Sequence, residues 1–240
     1  MPHAFTDAQL AEFLGAHPWK TSRPLADGRA FGEGKGALGN VPTDARVELV
    51  RKRIGDGKRV MEIGACEGQH SVLLAQFCRE VCAVEVRPRN VVGALIRQFL
   101  WGVRNVTNVL TDARGLDPGM GKFDLIFHVG VLYHLLNPVE HLHSLKPFGD
   151  ALLLDTHYAT DECKKMPPSS ITWQGRTWQT RKYRESGWGD AFSGVDDHSE
   201  WMQKEDLLQV VRDIGFPKIE IFRDVVERNG PRIGLLALRQ

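Results

Sequence analysis

KRVMEIGACEGQHSVLLAQFCREVCAVEV, residues Lys58 to Val86, is the stretch from which the rest of the chain can be read. Arg59 to Ile63 is a short apolar run broken by Gly64, the pattern of a parallel strand buried on both faces before its turn. A helix is predicted from about Gly68, through Val72 and Ala75 to a boundary at Cys78, and Val81 to Val86 is a second strand. Glu85 closes that strand 23 positions beyond Glu62. An acid about 20 residues past the turn of a βαβ unit is placed to accept from the hydroxyls of a bound ribose.

A glycine turn and an acid leave the nucleotide open. Dinucleotide sites use G-x-G-x-x-G so that pyrophosphate approaches backbone amides at a helix N-terminus, whereas this turn reads Gly64-Ala65-Cys66-Glu67-Gly68. Pyrophosphate beside Glu62 and Glu67 would be repelled; a sulfonium and an ammonium would not. The acids favour S-adenosylmethionine.

At these residues the chain resembles the class I S-adenosylmethionine-dependent methyltransferases. Their first motif, an acid and then glycines at alternating positions, is matched by Glu62, Gly64 and Gly68, with Cys66 where the middle glycine is usual. Thr111-Asp112-Ala113 follows a third strand, Phe123 to His128 is a fourth, and Gly130-Val131-Leu132-Tyr133-His134-Leu135 with Asn137-Pro138 comes next. The resemblance spans about Pro42 to Gln240. It implies a doubly wound α/β fold with a mostly parallel seven-stranded sheet, an antiparallel last strand and an insertion after strand five. It also implies S-adenosylmethionine as cofactor, S-adenosylhomocysteine as product, and cofactor contacts from Glu62, Gly64, Gly68, Glu85, Val86, Asp112, Ala113 and His128. The segment after strand four is similar to the branch that modifies the wobble uridine of tRNA.

The 240 residues suit one large domain or one with appendages; 42% are hydrophobic and 25% charged, an ordinary globular composition. A net charge of +1 removes a global case for nucleic acid, though not for a local basic patch. No run approaches the roughly 18 apolar residues of a membrane span, and the N-terminus lacks a basic region followed by an apolar segment, so the expected compartment is the cytoplasm without membrane attachment. Cys66, Cys78, Cys82 and Cys163 show no C-x-x-C pairing and no zinc spacing, which makes them thiols rather than metal ligands.

Residues 1–41 read as an N-terminal helix, capped at Thr6 or Asp7 and stopped at Gly15, followed by a glycine-rich lid segment. Its G-x-G-x-x-G at Gly34, Gly36 and Gly39 lacks a preceding strand and is no phosphate loop. Residues 42–240 form the methyltransferase domain, with Thr43 as cap of its first helix. Helices over Val91 to Trp101 and Pro138 to Leu145, and strands over Val106 to Leu110 and Ala151 to Thr156, continue the alternation.

Within residues 157–199 the regular periods vanish, and Trp173, Trp178 and Trp188 alternate with Arg176, Arg181 and Arg184, the composition of a substrate cap. A helix through Leu207 and Ile214 and strands over Lys218 to Phe222 and Ile233 to Leu238 complete the chain.

Methyl transfer to a hydroxyl needs alignment of the reactants and a base. His134 after strand four, His157 after strand five and His198 at the end of the insertion are the candidate bases; Tyr133, Trp178, Arg181 and Arg184 are the expected acceptor contacts. Asp155 and His157 with Asp196, Asp197 or His198 form an alternative metal-binding set, but no metal is expected. The expected acceptor is an oxygen or nitrogen of a small polar, anionic or sugar-containing molecule. The alternatives are tRNA wobble-uridine methyl or carboxymethyl transfer, an inactive cofactor-binding regulator, and a dinucleotide oxidoreductase, which the turn disfavours. Oligomeric state is left open.

Overall fold

The computed structural model describes residues 6–21 and 43–239. Apart from Thr21, the expected lid over Thr21 to Asn40 lies outside the described residues. Sixteen helices and strands order the described chain into two compact units, residues 1–59 with 65–110 and residues 60–64 with 111–240.

The first unit opens with α1 (Asp7–Gly15), where Thr6 accepts from Gln9 N at 3.3 Å and the Gln9 side chain accepts from Thr6 N at 2.9 Å, a reciprocal capping box. α2 (Ala45–Arg53) starts one residue later than expected, because Asp44 rather than Thr43 has the extended backbone of a cap and its carboxylate accepts from Arg46 N at 2.9 Å. α3 (Gln69–Leu74) follows Gly68, whose φ of 73° suits glycine. A Cβ on Gly68 would lie 2.9 Å from Ala94 Cβ, so the glycine also lets α3 approach α4 (Pro88–Trp101). β2 (Glu80–Glu85) pairs in parallel with β3 (Val106–Leu110).

In the second unit β1 (Arg59–Ile63) pairs in parallel with β4 (Leu125–Val129), which pairs in parallel with β5 (Ala151–His157). Leu125, Phe127, Leu153 and Leu154 are fully buried. Each such side chain stabilises the fold by about 1.5–3 kcal/mol as an upper bound, which is why these strands read as continuous apolar runs. α5 (Pro138–Ser144) is capped by Asn137, and α6 (Lys204–Asp213) buries Leu207, Val210 and Val211 along one face. β9 (Lys218–Glu227) and β10 (Gly230–Leu238) run antiparallel to each other, and β10 runs antiparallel to β5. The seven-stranded sheet has the order β3-β2-β1-β4-β5-β10-β9, the expected mostly parallel α/β fold with an antiparallel final strand.

The insertion is more regular than its sequence suggested. β6 (Pro168–Trp173), β7 (Arg176–Arg184) and β8 (His198–Met202) form a separate antiparallel sheet that ends at Met202, beyond Ser199. Its hairpin turns at Gln174 and Gly175, with φ of 48° and 79°, as two-residue turns of the left-handed type require. That Gln-Gly pair was the available signal. Much of the sheet is exposed, so the two-residue alternation is blurred by polar residues on both faces.

Candidate active site

In the first unit, Ala65 N donates to Val84 O at 3.0 Å, fastening the glycine turn to β2. Cys66, at the position where a glycine is usual, has φ 51° and donates its amide to Glu85 Oε2 at 2.8 Å. Glu85 Oε1 accepts from Arg87 N at 2.9 Å and Asn90 Nδ2 at 3.1 Å. A carboxylate offers about four acceptor positions, so among the described residues the buried Glu85 retains one, on Oε2. Val86 follows β2, half-buried.

Glu67 plays a different part from the one its place in the turn suggested. It is fully buried and accepts from Lys20 N at 2.8 Å, Thr21 N at 2.7 Å and Thr21 Oγ1 at 2.6 Å, with His17 Nε2 3.4 Å away. Arg97 donates to Glu67 O at 2.8 Å. The Glu67 charge thus anchors the segment after α1, leaving Glu62 to carry the electrostatic case against pyrophosphate.

In the second unit, Glu62 is buried on β1, and Gly64 has φ 75° with Val131 so close that an added Cβ would lie 2.1 Å from Val131 Cγ2. Asp112 caps the turn Ala113–Gly115 and is gripped by Arg114, through Nε at 3.0 Å and Nη2 at 2.6 Å, while Arg114 Nη1 reaches Asp196 at 2.9 Å. Burial would raise the Asp112 carboxyl, but the Arg114 hydrogen bonds outweigh it and hold the group below its ordinary value. His128, expected at the cofactor, is instead fully buried with Nε2 2.9 Å from His141 Nε2. Burial pushes both imidazoles down, His141 to about 4, so both are neutral at pH 7 and one ring donates to the other.

The same unit holds a cavity of about 140 Å³ lined by Tyr133, His134, His157 and Arg184 from the expected set, and by Glu185, Trp201 and others outside it. His157 Nδ1 donates to Pro231 O at 3.0 Å, so the neutral ring keeps its lone pair on Nε2. Its ring stacks on Trp201 with centroids 4.8 Å apart at 13° and meets Tyr133 edge-on at 4.8 Å. Burial lowers its pKa. His134 Nδ1 lies 2.8 Å from Glu185 Oε1.

Glu185 also accepts from Ser193 Oγ at 2.5 Å, Gly194 N at 2.8 Å and Ser199 Oγ at 2.8 Å. Burial would raise the Glu185 carboxyl, but these bonds, His134 foremost, bring it down to about 2. Nothing in the sequence marked Glu185, a single acid at the end of an exposed strand. Trp201 is 1% exposed, and its indole N–H has no hydrogen-bond partner among the described residues.

Three expected residues do not line this cavity. His198 sits on β8 with Nδ1 2.5 Å from the exposed Asp197. Trp178 is buried, with the Arg176 guanidinium 3.6 Å from its ring centroid. Arg181 donates to Met166 O at 3.0 Å and Asp161 Oδ1 at 3.2 Å. The alternative metal set is also dispersed: Asp155 pairs with Arg232 and Arg223, and Asp196 with Arg114. Among the described residues no three His, Cys, Asp or Glu side chains group to hold an ion, and no helix is long and apolar enough to cross a membrane.

A family profile described as a methyltransferase domain matches residues 40–221. A tRNA U34 carboxymethyltransferase of Saccharophagus degradans is 26% identical over 104 residues, covering 41% of this chain; the aligned stretch spans about a third of that curated relative, 32%. Among solved structures, the N-terminal domain of EvdMO1 with S-adenosylhomocysteine bound superposes with a TM-score of 0.81 over 100% of both chains at 21% identity, and in the presence of S-adenosylhomocysteine and D-fucose with 0.80. Whole EvdMO1 is about twice as long, with 47% of it covered. The magnesium protoporphyrin IX methyltransferase of Synechocystis with bound S-adenosylhomocysteine gives 0.57 at 20% identity, over 81% of this chain and 80% of that one. At these identities the structural likenesses concern the fold.

Proposed function

The chain belongs to the class I S-adenosylmethionine-dependent methyltransferases, and on that premise we propose that it methylates a hydroxyl oxygen of a small, hydroxyl-rich molecule of the sugar class. The observation that carries the reading is the small cavity in which two neutral-capable imidazoles, His134 and His157, share walls with aromatic rings and the guanidinium of Arg184. Aromatic faces, such as those of Tyr133 and Trp201, pack against the C–H faces of a ring substrate. The likeness to a domain studied with D-fucose supports the same class.

S-adenosylmethionine, when bound, supplies a methyl group carried on a sulfonium. The residues present fit it: Glu85 keeps one acceptor position for a ribose hydroxyl, and Asp112 and Ala113 are assigned to the adenine. Gly64, Gly68, Glu62 and Val86 are assigned to its remaining portion. Because His128 is enclosed in the core, it is left out of the contact set.

The acceptor hydroxyl needs a base, since alcohols are not ionised near neutrality. His134 is assigned that part: its Nε2 takes the hydroxyl proton as the oxygen forms its new bond to carbon. His157 is the poorer base, because burial lowers its proton affinity despite Glu227 3.8 Å from Nε2, and its hydrogen-bonded Nδ1 partner is a neutral carbonyl. Its Nε2 is suited to accept from a second hydroxyl and orient the ring.

The curated relative favours a second reading, transfer to tRNA; the net charge of +1 weighs against it. The experiment is incubation with methyl-labelled cofactor and, separately, a panel of sugars and sugar nucleotides and bulk tRNA. Label in a sugar as a methyl ether, lost by about 10²- to 10⁴-fold in His134→Ala, supports the proposal. Label in tRNA alone would replace it with the second reading.

A further inference from the structure

We infer that Glu185 is a positioning residue that holds His134 in the Nδ1–H tautomer and so leaves Nε2 as the proton acceptor; the inference rests on the reading of His134 as base. Four donors meet the Glu185 carboxylate: His134 Nδ1 and Ser199 Oγ on Oε1, Ser193 Oγ and Gly194 N on Oε2. An ionised carboxylate has about four acceptor positions and no proton to give, so all are occupied and the Nδ1 in contact with it must carry the hydrogen. In a neutral imidazole the lone pair is then on Nε2.

The fit is tight as well as saturated. A Cβ on Gly194 would lie 2.8 Å from His134 O and 3.1 Å from Glu185 Cγ. The loop from Glu185 to Ser199, part of the insertion, therefore closes directly on the segment that bears His134. All three supporting donors come from that loop, so the insertion would set the protonation geometry of the base in addition to walling the cavity. When His134 takes a proton, the adjacent carboxylate stabilises the imidazolium without accepting the proton itself, as in other carboxylate–histidine pairs.

A fold anchor with an incidental histidine neighbour would show the same four bonds and the same tautomer, and the two roles part in what loss of the carboxylate does to turnover. The test is nitrogen-15 NMR of the histidine rings in the full chain at about pH 8, with S-adenosylhomocysteine present. The expected spectrum of the unmodified protein shows His134 protonated at Nδ1 alone; protonation at Nε2, or at both nitrogens, would overturn the inference. In Glu185→Gln the carboxamide can donate as well as accept, so Nε2–H is expected to become populated, and Glu185→Asp should restore part of the Nδ1–H form.

Turnover of the methylated sugar should fall about 10²-fold in Glu185→Gln with acceptor KM changed less than about threefold. A His134 tautomer unaltered in folded Glu185→Gln would also overturn it. If that variant does not fold, Glu185→Asp takes its place: a partly lost Nδ1–H form with reduced turnover supports the inference, and a displaced tautomer with full turnover overturns it. An Nδ1–H spectrum without turnover of any sugar supports the positioning role and sinks the acceptor class; sugar turnover with an Nε2–H spectrum does the reverse.

Discussion

The amide of Cys66 donates to Glu85 Oε2 at 2.8 Å, so the residue standing where a glycine is usual and the acid closing β2 form one fixed corner of the first unit. If Glu85 meets the ribose as proposed, that corner links cofactor binding to stability. Removing the carboxylate strands three in-chain donors, Cys66 N, Arg87 N and Asn90 Nδ2.

Glu85→Ala is accordingly expected to weaken S-adenosylhomocysteine binding by roughly 10- to 100-fold and to lower stability by about 1–3 kcal/mol. Glu85→Gln keeps an acceptor but loses the charge, so it should fall between. Calorimetric titration of the folded variants decides, and undiminished affinity in both would remove Glu85 from the cofactor site.

Cys66 holds a left-handed backbone at φ 51°, which costs a non-glycine residue on the order of 1–2 kcal/mol. Cys66→Gly relieves that strain but enlarges the freedom of the unfolded chain. The net expectation is a gain of up to about 1 kcal/mol in urea denaturation, whereas the β-branched Cys66→Val should lose stability. The thiol itself, pushed up to about 12 by burial and then by Glu85 and Glu67, should resist alkylation at neutral pH.

His128 and His141 make the fold acid-sensitive. Each has a folded pKa below its ordinary value of 6.5, about 4 for His141, so the unfolded chain binds more protons as pH falls through 6.5. Their contribution is fully present above 6.5 and is lost progressively down to about 4, on the order of 3 kcal/mol from His141 alone. His157 shifts in the same direction. The carboxylates held low, such as Glu185, add their own loss only below about 4.5. Denaturant titrations between pH 7.5 and 5 or so check this: His141→Gln should flatten the slope, and an unchanged slope would contradict it.

Arg184 lines the cavity, whereas Arg181 is engaged with Met166 O and the exposed Asp161. Arg184→Glu should raise the acceptor KM about tenfold with little change in melting temperature. Arg181→Glu should leave KM unaltered and change stability by no more than about 1 kcal/mol, since exposed pairs contribute little. Steady-state kinetics of both variants separates the roles, and equal KM effects would contradict the placement.

The order of strands was legible because parallel strands buried on both faces read as apolar runs, and because glycine turns and proline starts punctuate them at short range. Residues such as Gly64, Gly68 and Glu85 belong to that local pattern. The hairpin of β6 and β7 was not legible, since its strands lie largely exposed and carry polar side chains on both faces. The surroundings of His128 were hidden for a related reason: it follows an apolar run toward the carboxyl end of β4, and nothing nearby in the chain shows that α5 covers it with His141.

By itself the sequence determined the fold class and offered a glycine turn and a short set of candidate histidines, all written in periods and spacings of a few residues. Only the tertiary structure gives those histidines different surroundings. It closes the segment from Glu185 to Ser199 onto His134, a contact between residues 51 positions apart, and sets His157 Nδ1 on a backbone carbonyl with the Glu227 carboxylate 3.8 Å from Nε2, and His198 beside an exposed aspartate. Which carboxylate meets which imidazole depends on how distant segments pack, and packing at that separation leaves no period in the chain to read.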